Sequence, residues 1–165
     1  KDGSDLDKVM QAKELASLCR RHAALFIVND RLDLALAVEA DGVHLGQNDI
    51  PTSMARQLLG DEKLIGRSTH CLRQLQEAES EGCDYLGVGP VYSTKTKPDQ
   101  QPSGISYVKE AFRATQLPWF AIGGIGNSNL NEVLSAGAKK IAVANSIMSA
   151  SDPATASRTL LKKIQ

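Results

Sequence analysis

The feature that most constrains the fold is an alternation, along the whole chain, of short apolar runs with longer segments of helical spacing. Each apolar run ends in a glycine or a polar residue, which is the pattern of strands alternating with helices. None of the runs alternates strictly between apolar and polar residues, as expected of parallel strands covered on both faces. The predicted strands are Leu25–Val28, Gly42–Leu45, Leu64–Gly66, Tyr85–Val88, Trp119–Ile122 and Ile141–Val143.

The intervals between these strands, and the segments before the first and after the last strand, are predicted to be helical. Several of the helices lead into a glycine, at Gly42, Gly82 and Gly137, which we expect to adopt the left-handed conformation that closes a helix before the next strand. The repetition indicates copies of one helix–strand unit. The predicted helices are Asp5–His22, Asp33–Glu39, Pro51–Leu59, Leu72–Glu81, Ser106–Ala114, Ser128–Ala136 and Pro153–Ile164.

Repeated units of this kind build either a (βα)8 TIM barrel or an open doubly wound sheet. Polar residues follow every predicted strand and no Gly-x-Gly-x-x-Gly turn opens the first unit, so the α/β barrel is favoured. Six units are visible, whereas the barrel has eight strands. We therefore expect residues 1–165 to form a single TIM-barrel domain that lacks its first one to two strands. A further N-terminal segment or domain is expected in the parent protein.

Charge and cysteine content limit the partners and the compartment. Nineteen basic and nineteen acidic residues cancel, so no overall field draws the chain to nucleic acid or to a membrane surface. No apolar run is long enough to span a membrane. Cys19, Cys71 and Cys83 lack metal-type spacing and are predicted to be reduced, buried thiols. These features favour a cytoplasmic protein that binds small molecules through local groups.

Two acidic residues follow neighbouring predicted strands. Asp30 comes after the first strand and Asp49 after the second, and adjacent strands of a barrel would place both carboxylates at the same mouth. One or two carboxylates, with coordination positions left for water and phosphate oxygens, suit Mg²⁺. The competing interpretation is that Asn29 or Asp30 caps one helix and Asp49 the next.

Residues 89–97 form the most informative stretch. Thr94, Lys95, Thr96 and Lys97 place two hydroxyls and two ammonium groups directly after a strand, which suits the binding of oxyanions. A solvated basic loop is the alternative.

Glycines and a polar pair follow the last two predicted strands. Gly124 lies in a glycine-rich turn, and Asn145 follows the last strand. Backbone N–H groups in such turns bind phosphate, commonly after strands seven and eight of a barrel. Tight turning alone is the other explanation for the glycines. The run through Ser68 and Thr69 is a weaker signal, because either hydroxyl could cap the helix from Leu72.

Taken together, these segments resemble the thiamine-phosphate synthase family along essentially the whole chain. The resemblance implies that Asp30 and Asp49 bind Mg²⁺, and that the enzyme is a transferase joining a pyrimidine diphosphate to a thiazole phosphate. Lys97 and Ser68 are the implied catalytic residues. The implied ligands of the pyrimidine diphosphate are Lys1, Asn29, Ser68 and Lys97, and those of the thiazole phosphate are Thr94, Lys95, Thr96, Gly124, Ala144 and Asn145.

Two departures from the family pattern are visible. Lys1 falls at the last position of the family's Gln-x-Arg-x-Lys motif, whose Gln and Arg are absent, and Ala144-Asn145 stands where Val-Ser is common. The alternatives are a thiazole tautomerase-like isomerase and a non-catalytic phosphate-ligand sensor. Pro90 and Asp49 favour the synthase, because the tautomerase has a His at the position of Pro90 and lacks the carboxylate at the position of Asp49. Fusion to another domain and homo-oligomerisation both stay open.

Overall fold

The computed structural model describes residues 3–94 and 100–165. Within these residues, parallel strands alternate with helices. The strands are β1 (Ile27–Asn29), β2 (Gly42–Leu45), β3 (Leu64–Thr69), β4 (Tyr85–Val88), β5 (Trp119–Ile122) and β6 (Ile141–Ala142). The helices are α1 (Asp5–Arg21), α2 (Leu32–Ala37), α3 (Thr52–Leu59), α4 (Leu72–Ser80), α5 (Gly104–Ala114), α6 (Leu130–Ser135), α7 (Asn145–Met148) and α8 (Pro153–Ile164).

The strands follow one another along the sheet in chain order, from β1 to β6. The pairing is parallel, with Asn29 opposite His44 and Leu45 opposite Arg67. Such an order, with a helix in every connection from β1 to β6, is produced by successive βα units, because parallel neighbours need a crossover. The six strands of the described residues are two fewer than the eight of a complete (βα)8 barrel.

The long terminal helices begin where the sequence supplies caps. At the start of α1, Ser4 and Asp7 form a capping box: the Ser4 Oγ accepts from the Asp7 N–H at 3.1 Å, and the Asp7 carboxylate accepts from the Ser4 N–H at 3.0 Å. At the start of α8, the Asp152 carboxylate accepts from the Thr155 N–H at 3.1 Å, and Pro153 occupies the first turn. Local sequence therefore determines both starts.

The chain divides into two compact units, each with its own apolar cluster. Residues 1–67 and 80–85 make the first unit, whose core lies between β1 to β3 and helices α1 to α3. Val43, Leu45 and Ile65 have no exposed surface there. Burying a side chain of this size stabilises the fold by about 1.5–3 kcal/mol.

The second unit consists of residues 68–79 and 86–165. Its core is formed by Val91, Val108, Ala121, Leu130 and Val133, none of which is more than 1% exposed. Helices α5, α6 and α8 add Ile105, Leu134, Leu160 and Ile164, and strands β5 and β6 add Trp119 and Ile141. The prediction of one domain over residues 1–165 stays a prediction.

The structure corrects two details of the expected elements. Gly82 and Gly137 have positive φ, as predicted, but Gly42 does not. Gly42 is required for space, because a Cβ there would lie 2.1 Å from the Leu64 carbonyl oxygen on the paired strand. The expectation of buried thiols is right for Cys83, holds only in part for the half-buried Cys19, and is wrong for Cys71, which is exposed. No helix in the described part of the chain is long and apolar enough to cross a membrane.

Candidate active site

In the first unit, the end of β1 carries Asn29 and Asp30. The Asp30 N–H donates to the His44 carbonyl at 2.9 Å, which extends the β1–β2 pairing by one residue. Asp30 has a φ of +64°, a conformation that Asp tolerates better than most residues. The N-cap position of α2 is Arg31, whose side chain makes no capping bond, so neither Asn29 nor Asp30 occupies the capping position considered for it.

Asp49 closes the loop that follows β2. Its Oδ2 accepts from the Gly46 N–H at 2.6 Å, and its own N–H donates to the Gly46 carbonyl at 3.2 Å. These bonds fix the carboxylate close to the end of β2. Pro51 occupies the N-cap position of α3 without a side-chain cap, so Asp49 does not cap that helix.

The two carboxylates fit the requirements of Mg²⁺. Asp30 and Asp49 follow paired parallel strands of the same unit, and both are partly buried. Residues 3–94 and 100–165 contain no cluster of three or more His, Cys, Asp or Glu side chains arranged for a metal. Mg²⁺ does not need such a cluster, because it usually keeps several waters and takes one or two carboxylates plus substrate phosphate oxygens.

In the second unit, Ser68 and Thr69 belong to β3, which ends at Thr69, three residues further than the Gly66 that the sequence predicted. Thr69 is buried: its Oγ1 donates to the Gly87 carbonyl at 2.9 Å and accepts from the Tyr107 hydroxyl at 2.6 Å. β3 ends at Thr69 and α4 begins at Leu72, so neither residue occupies the capping position directly before α4, and that alternative is wrong. Because successive strand residues point to opposite faces, Ser68 lies on the face opposite to that of Thr69.

The loop after β4 is tied to the end of β5 by backbone hydrogen bonds. The Val91 N–H donates to the Ile122 carbonyl at 2.8 Å, and the Tyr92 N–H donates to the Gly123 carbonyl at 3.0 Å. The Tyr92 hydroxyl also donates to the Glu132 carboxylate at 2.6 Å. Burial and this hydrogen bond raise the pKa of Tyr92 to about 12. These contacts fix the loop at Val91 and Tyr92, two residues before the partly buried Thr94.

Four of the predicted ligands, Lys1, Lys95, Thr96 and Lys97, lie outside the described residues. Their roles stay predictions.

Gly124 lies against the loop after β4. It has a φ of +64°, and a Cβ at this position would come within 2.6 Å of the Ser93 carbonyl oxygen and 2.8 Å of the Tyr92 Cβ. Both the backbone conformation and the close approach therefore require glycine here.

The loop after β6 is joined to the same region. The Ser146 hydroxyl donates to the Ile125 carbonyl at 2.6 Å. Ala144, at the N-cap position of α7, and Asn145, its first residue, are both exposed. The loops that follow β4, β5 and β6 carry Thr94, Gly124 and Asn145, respectively. The loop after β5 thus contacts both the loop after β4 and the loop after β6.

Three residues in these loops were given no role from the sequence. Asn129 bridges the glycine-rich turn through both atoms of its amide, and Ser146 joins two loops. His70 follows Ser68 and Thr69, and its Nδ1 contacts the Gly89 carbonyl, while the Gln100 amide nitrogen lies 2.7 Å from its Nε2. Their position directly after strands, or at the start of a helix, is the only signal that the sequence carries for them.

The fold and the loops at the strand ends define a protein of the (βα)-barrel class, with two strands fewer than the complete barrel in the described residues. The model of the thiamine monophosphate synthase family matches residues 1–147. The chain belongs to this family.

Sequence relatives agree with this membership. A thiamine-phosphate synthase of Prochlorococcus marinus (strain MIT 9303) is 67% identical over 165 residues, which is 100% of this chain and 47% of that protein. The chain therefore spans about half the length of this relative.

Solved structures confirm the predicted fold class. The thiamine phosphate pyrophosphorylase from Pyrococcus furiosus matches with a TM-score of 0.92 and 38% identity, over 99% of this chain and 79% of that one. A 3-hexulose-6-phosphate synthase matches with a TM-score of 0.71 at 19% identity, over 99% of this chain and 86% of that one, a likeness of fold alone.

Proposed function

We propose that the protein carrying this chain is a thiamine-phosphate synthase, which condenses 4-amino-2-methyl-5-hydroxymethylpyrimidine diphosphate with 4-methyl-5-(2-phosphoethyl)thiazole and releases pyrophosphate. Family membership and the name of the 67% identical relative support this transferase activity. The observation that carries the proposal against an isomerase is Asp49, the second carboxylate, held at the end of β2 by Gly46. The comparisons give no support to the isomerase or the sensor alternative.

Asp30 and Asp49 would hold Mg²⁺. When bound, the cation would neutralise charge that develops on the departing diphosphate. Among residues 3–94 and 100–165, no third His, Cys, Asp or Glu joins the two carboxylates in a metal-type cluster, which leaves coordination positions for water and for phosphate oxygens.

The chemical step needs positioning and electrostatic stabilisation more than acid–base chemistry. The C–O bond between the pyrimidine methylene and the diphosphate breaks, and its electron pair leaves with pyrophosphate. The lone pair of the thiazole nitrogen then forms the new C–N bond to the pyrimidine methyl cation. We propose that Lys97 and Ser68 bind the leaving diphosphate, with Asn29 and Lys1 as further ligands. No proton has to be removed from the nucleophile, so no general base is required.

The thiazole phosphate would bind in the second unit. The Gly124 N–H and the backbone of Ala144 and Asn145 are the proposed donors from the loops after β5 and β6. Thr94, Lys95 and Thr96 complete the proposed set from the loop after β4. Because backbone amides supply part of the contact, the replacement of the common Val-Ser by Ala144-Asn145 is compatible with binding.

The cytoplasmic location, the fusion to another domain and the homo-oligomeric state remain predictions.

The test is a pyrophosphate-release assay on the complete gene product, with both substrates and Mg²⁺. The wild type should form thiamine phosphate and pyrophosphate in equal amounts. Asp30→Ala and Asp49→Ala should each lower kcat/KM by about 10²-fold or more, because each removes a charged ligand worth several kcal/mol in the transition state. Asp61→Ala is the matched control, because Asp61 is an exposed carboxylate in the turn before β3.

Two outcomes would contradict the proposal. The first is a wild-type protein that converts the thiazole without consuming the diphosphate. The second is near-normal turnover by Asp30→Ala when the melting temperature shows that the variant is folded.

A further inference from the structure

In the turn after β5, the carbonyl groups of three successive residues accept hydrogen bonds that hold the turn in place. The Gly123 carbonyl accepts from the Tyr92 N–H at 3.0 Å. The Gly124 carbonyl accepts from the Asn129 Nδ2 at 3.0 Å, and the Ile125 carbonyl accepts from the Ser146 hydroxyl at 2.6 Å. Every carbonyl in the turn therefore has a defined partner on a neighbouring loop or on the residue that opens α6.

A trans peptide group points its N–H opposite to its C=O. Fixing the Gly123 carbonyl on Tyr92 therefore directs the Gly124 N–H away from Tyr92. Fixing the Gly124 carbonyl on Asn129 likewise directs the Ile125 N–H away from Asn129. Within residues 3–94 and 100–165, neither of these two N–H groups has a hydrogen-bond partner.

Asn129 uses its whole side-chain amide on this turn. While Nδ2 donates to the Gly124 carbonyl, Oδ1 accepts from the Gly126 N–H at 2.8 Å. The amide thus spans two peptide groups and fixes the plane of the peptide between Gly124 and Ile125. Glycine at 123 and 124, both with positive φ, would otherwise leave this plane free to rotate.

We infer that Asn129 is a positioning residue for the phosphate of the thiazole substrate. By holding the Gly124 carbonyl, it turns the Ile125 N–H so that it can donate to the phosphate beside the Gly124 N–H. Successive N–H groups in a glycine turn form an anion-binding concavity, and such donors bind well only when their orientation is set in advance. This inference rests on the proposed function, since it concerns the same phosphate.

The donor role of Asn129 is separable from its role in opening α6. Asn129→Asp retains an oxygen that accepts from the Gly126 N–H but removes the donor to the Gly124 carbonyl. Asn129→Ser removes the long amide without adding charge, and Ser is as good at a helix N-cap as Asn. Asn127→Ala is the matched control, because Asn127 is exposed in the same turn.

The measurements are KM and kcat of the complete gene product with the thiazole phosphate, and calorimetric binding of the same compound. Both Asn129 variants should raise KM and the dissociation constant about tenfold, the effect of weakening one hydrogen bond to a charged group. Their kcat at saturation and melting temperature should stay close to those of the wild type, as should all constants of Asn127→Ala. The dephosphorylated thiazole alcohol should bind equally to all variants.

An unchanged KM in both Asn129 variants, or equal losses for the phosphate and the alcohol, would overturn the positioning role. Different results would contradict the proposed function. If the wild type binds the thiazole phosphate but does not release pyrophosphate, the binding constants still decide the role of Asn129. If the wild type does not bind the compound at all, both ideas are wrong.

Discussion

Replacing Gly124 by alanine tests the glycine turn most directly. Gly124 has a φ of +64°, and alanine in this left-handed region costs about 1–2 kcal/mol. The added Cβ would also lie 2.6 Å from the Ser93 carbonyl oxygen. Backbone cannot give way as a flexible side chain does, so the turn must move away from the loop after β4.

The conformational cost alone predicts the size of the effect. If 1–2 kcal/mol is needed to restore the phosphate-binding geometry, the affinity for the thiazole phosphate falls by about 5–30-fold. The contact with Ser93 adds to this loss, so 5-fold is the lower bound. Because Gly124 is proposed to touch only the thiazole phosphate, the KM for the pyrimidine diphosphate should stay nearly constant.

Gly82→Ala is the matched control. Gly82 also has a positive φ, of +80°, but a Cβ there would meet nothing within 4 Å. This variant should lose a similar 1–2 kcal/mol of unfolding free energy and leave both KM values unchanged. The assays are steady-state kinetics with each substrate varied in turn, and urea unfolding of all three proteins. A Gly124→Ala enzyme with wild-type KM for the thiazole phosphate would refute the reasoning.

Two further predictions concern stability. Thr69→Val should lower the free energy of unfolding, measured in urea, by about 2–3 kcal/mol, because the buried Gly87 carbonyl and Tyr107 hydroxyl lose their partner. A loss below about 0.5 kcal/mol, which is the usual effect of a surface substitution, would contradict this prediction. Asp33 has its pKa lowered to about 2 by its hydrogen bonds from Arg31, so its ion pair stabilises the fold above pH 4 and this contribution is lost as the pH falls through 2. Asp33→Asn should therefore cost less than about 1 kcal/mol at pH 7, and a difference from wild type that does not shrink between pH 5 and pH 2 would contradict the assignment.

Local pattern predicted the elements well and their ends less well. The apolar runs identified all six strands of the described residues, because each run must be covered on both faces. β3 nevertheless continues to Thr69, where the pairing with β4 and not hydrophobicity decides its length. α7 was not predicted, since four residues carry no helical periodicity.

The site shows the same division. Asp30, Asp49, Gly124 and Thr94 were chosen from their places after strands, and the structure puts each of the four in the loop that follows a strand. The competing capping roles could not be excluded from the sequence. An Asp before a helix has the same sequence context whether its carboxylate accepts from the first turn of that helix or, as Asp49 does, from an N–H within its own loop.

The sequence by itself determined the order of strands and helices, the carboxylates and the glycines, because these depend on residue type and on spacing of a few positions. Only the tertiary structure shows why glycine is required at particular positions. Gly42 is required by the Leu64 carbonyl on the next strand, and Gly124 by Ser93. The bond from Ser146 to Ile125 joins residues 21 positions apart. Such contacts arise from the pairing of parallel strands, which brings distant loops to the same edge, and no local pattern records them.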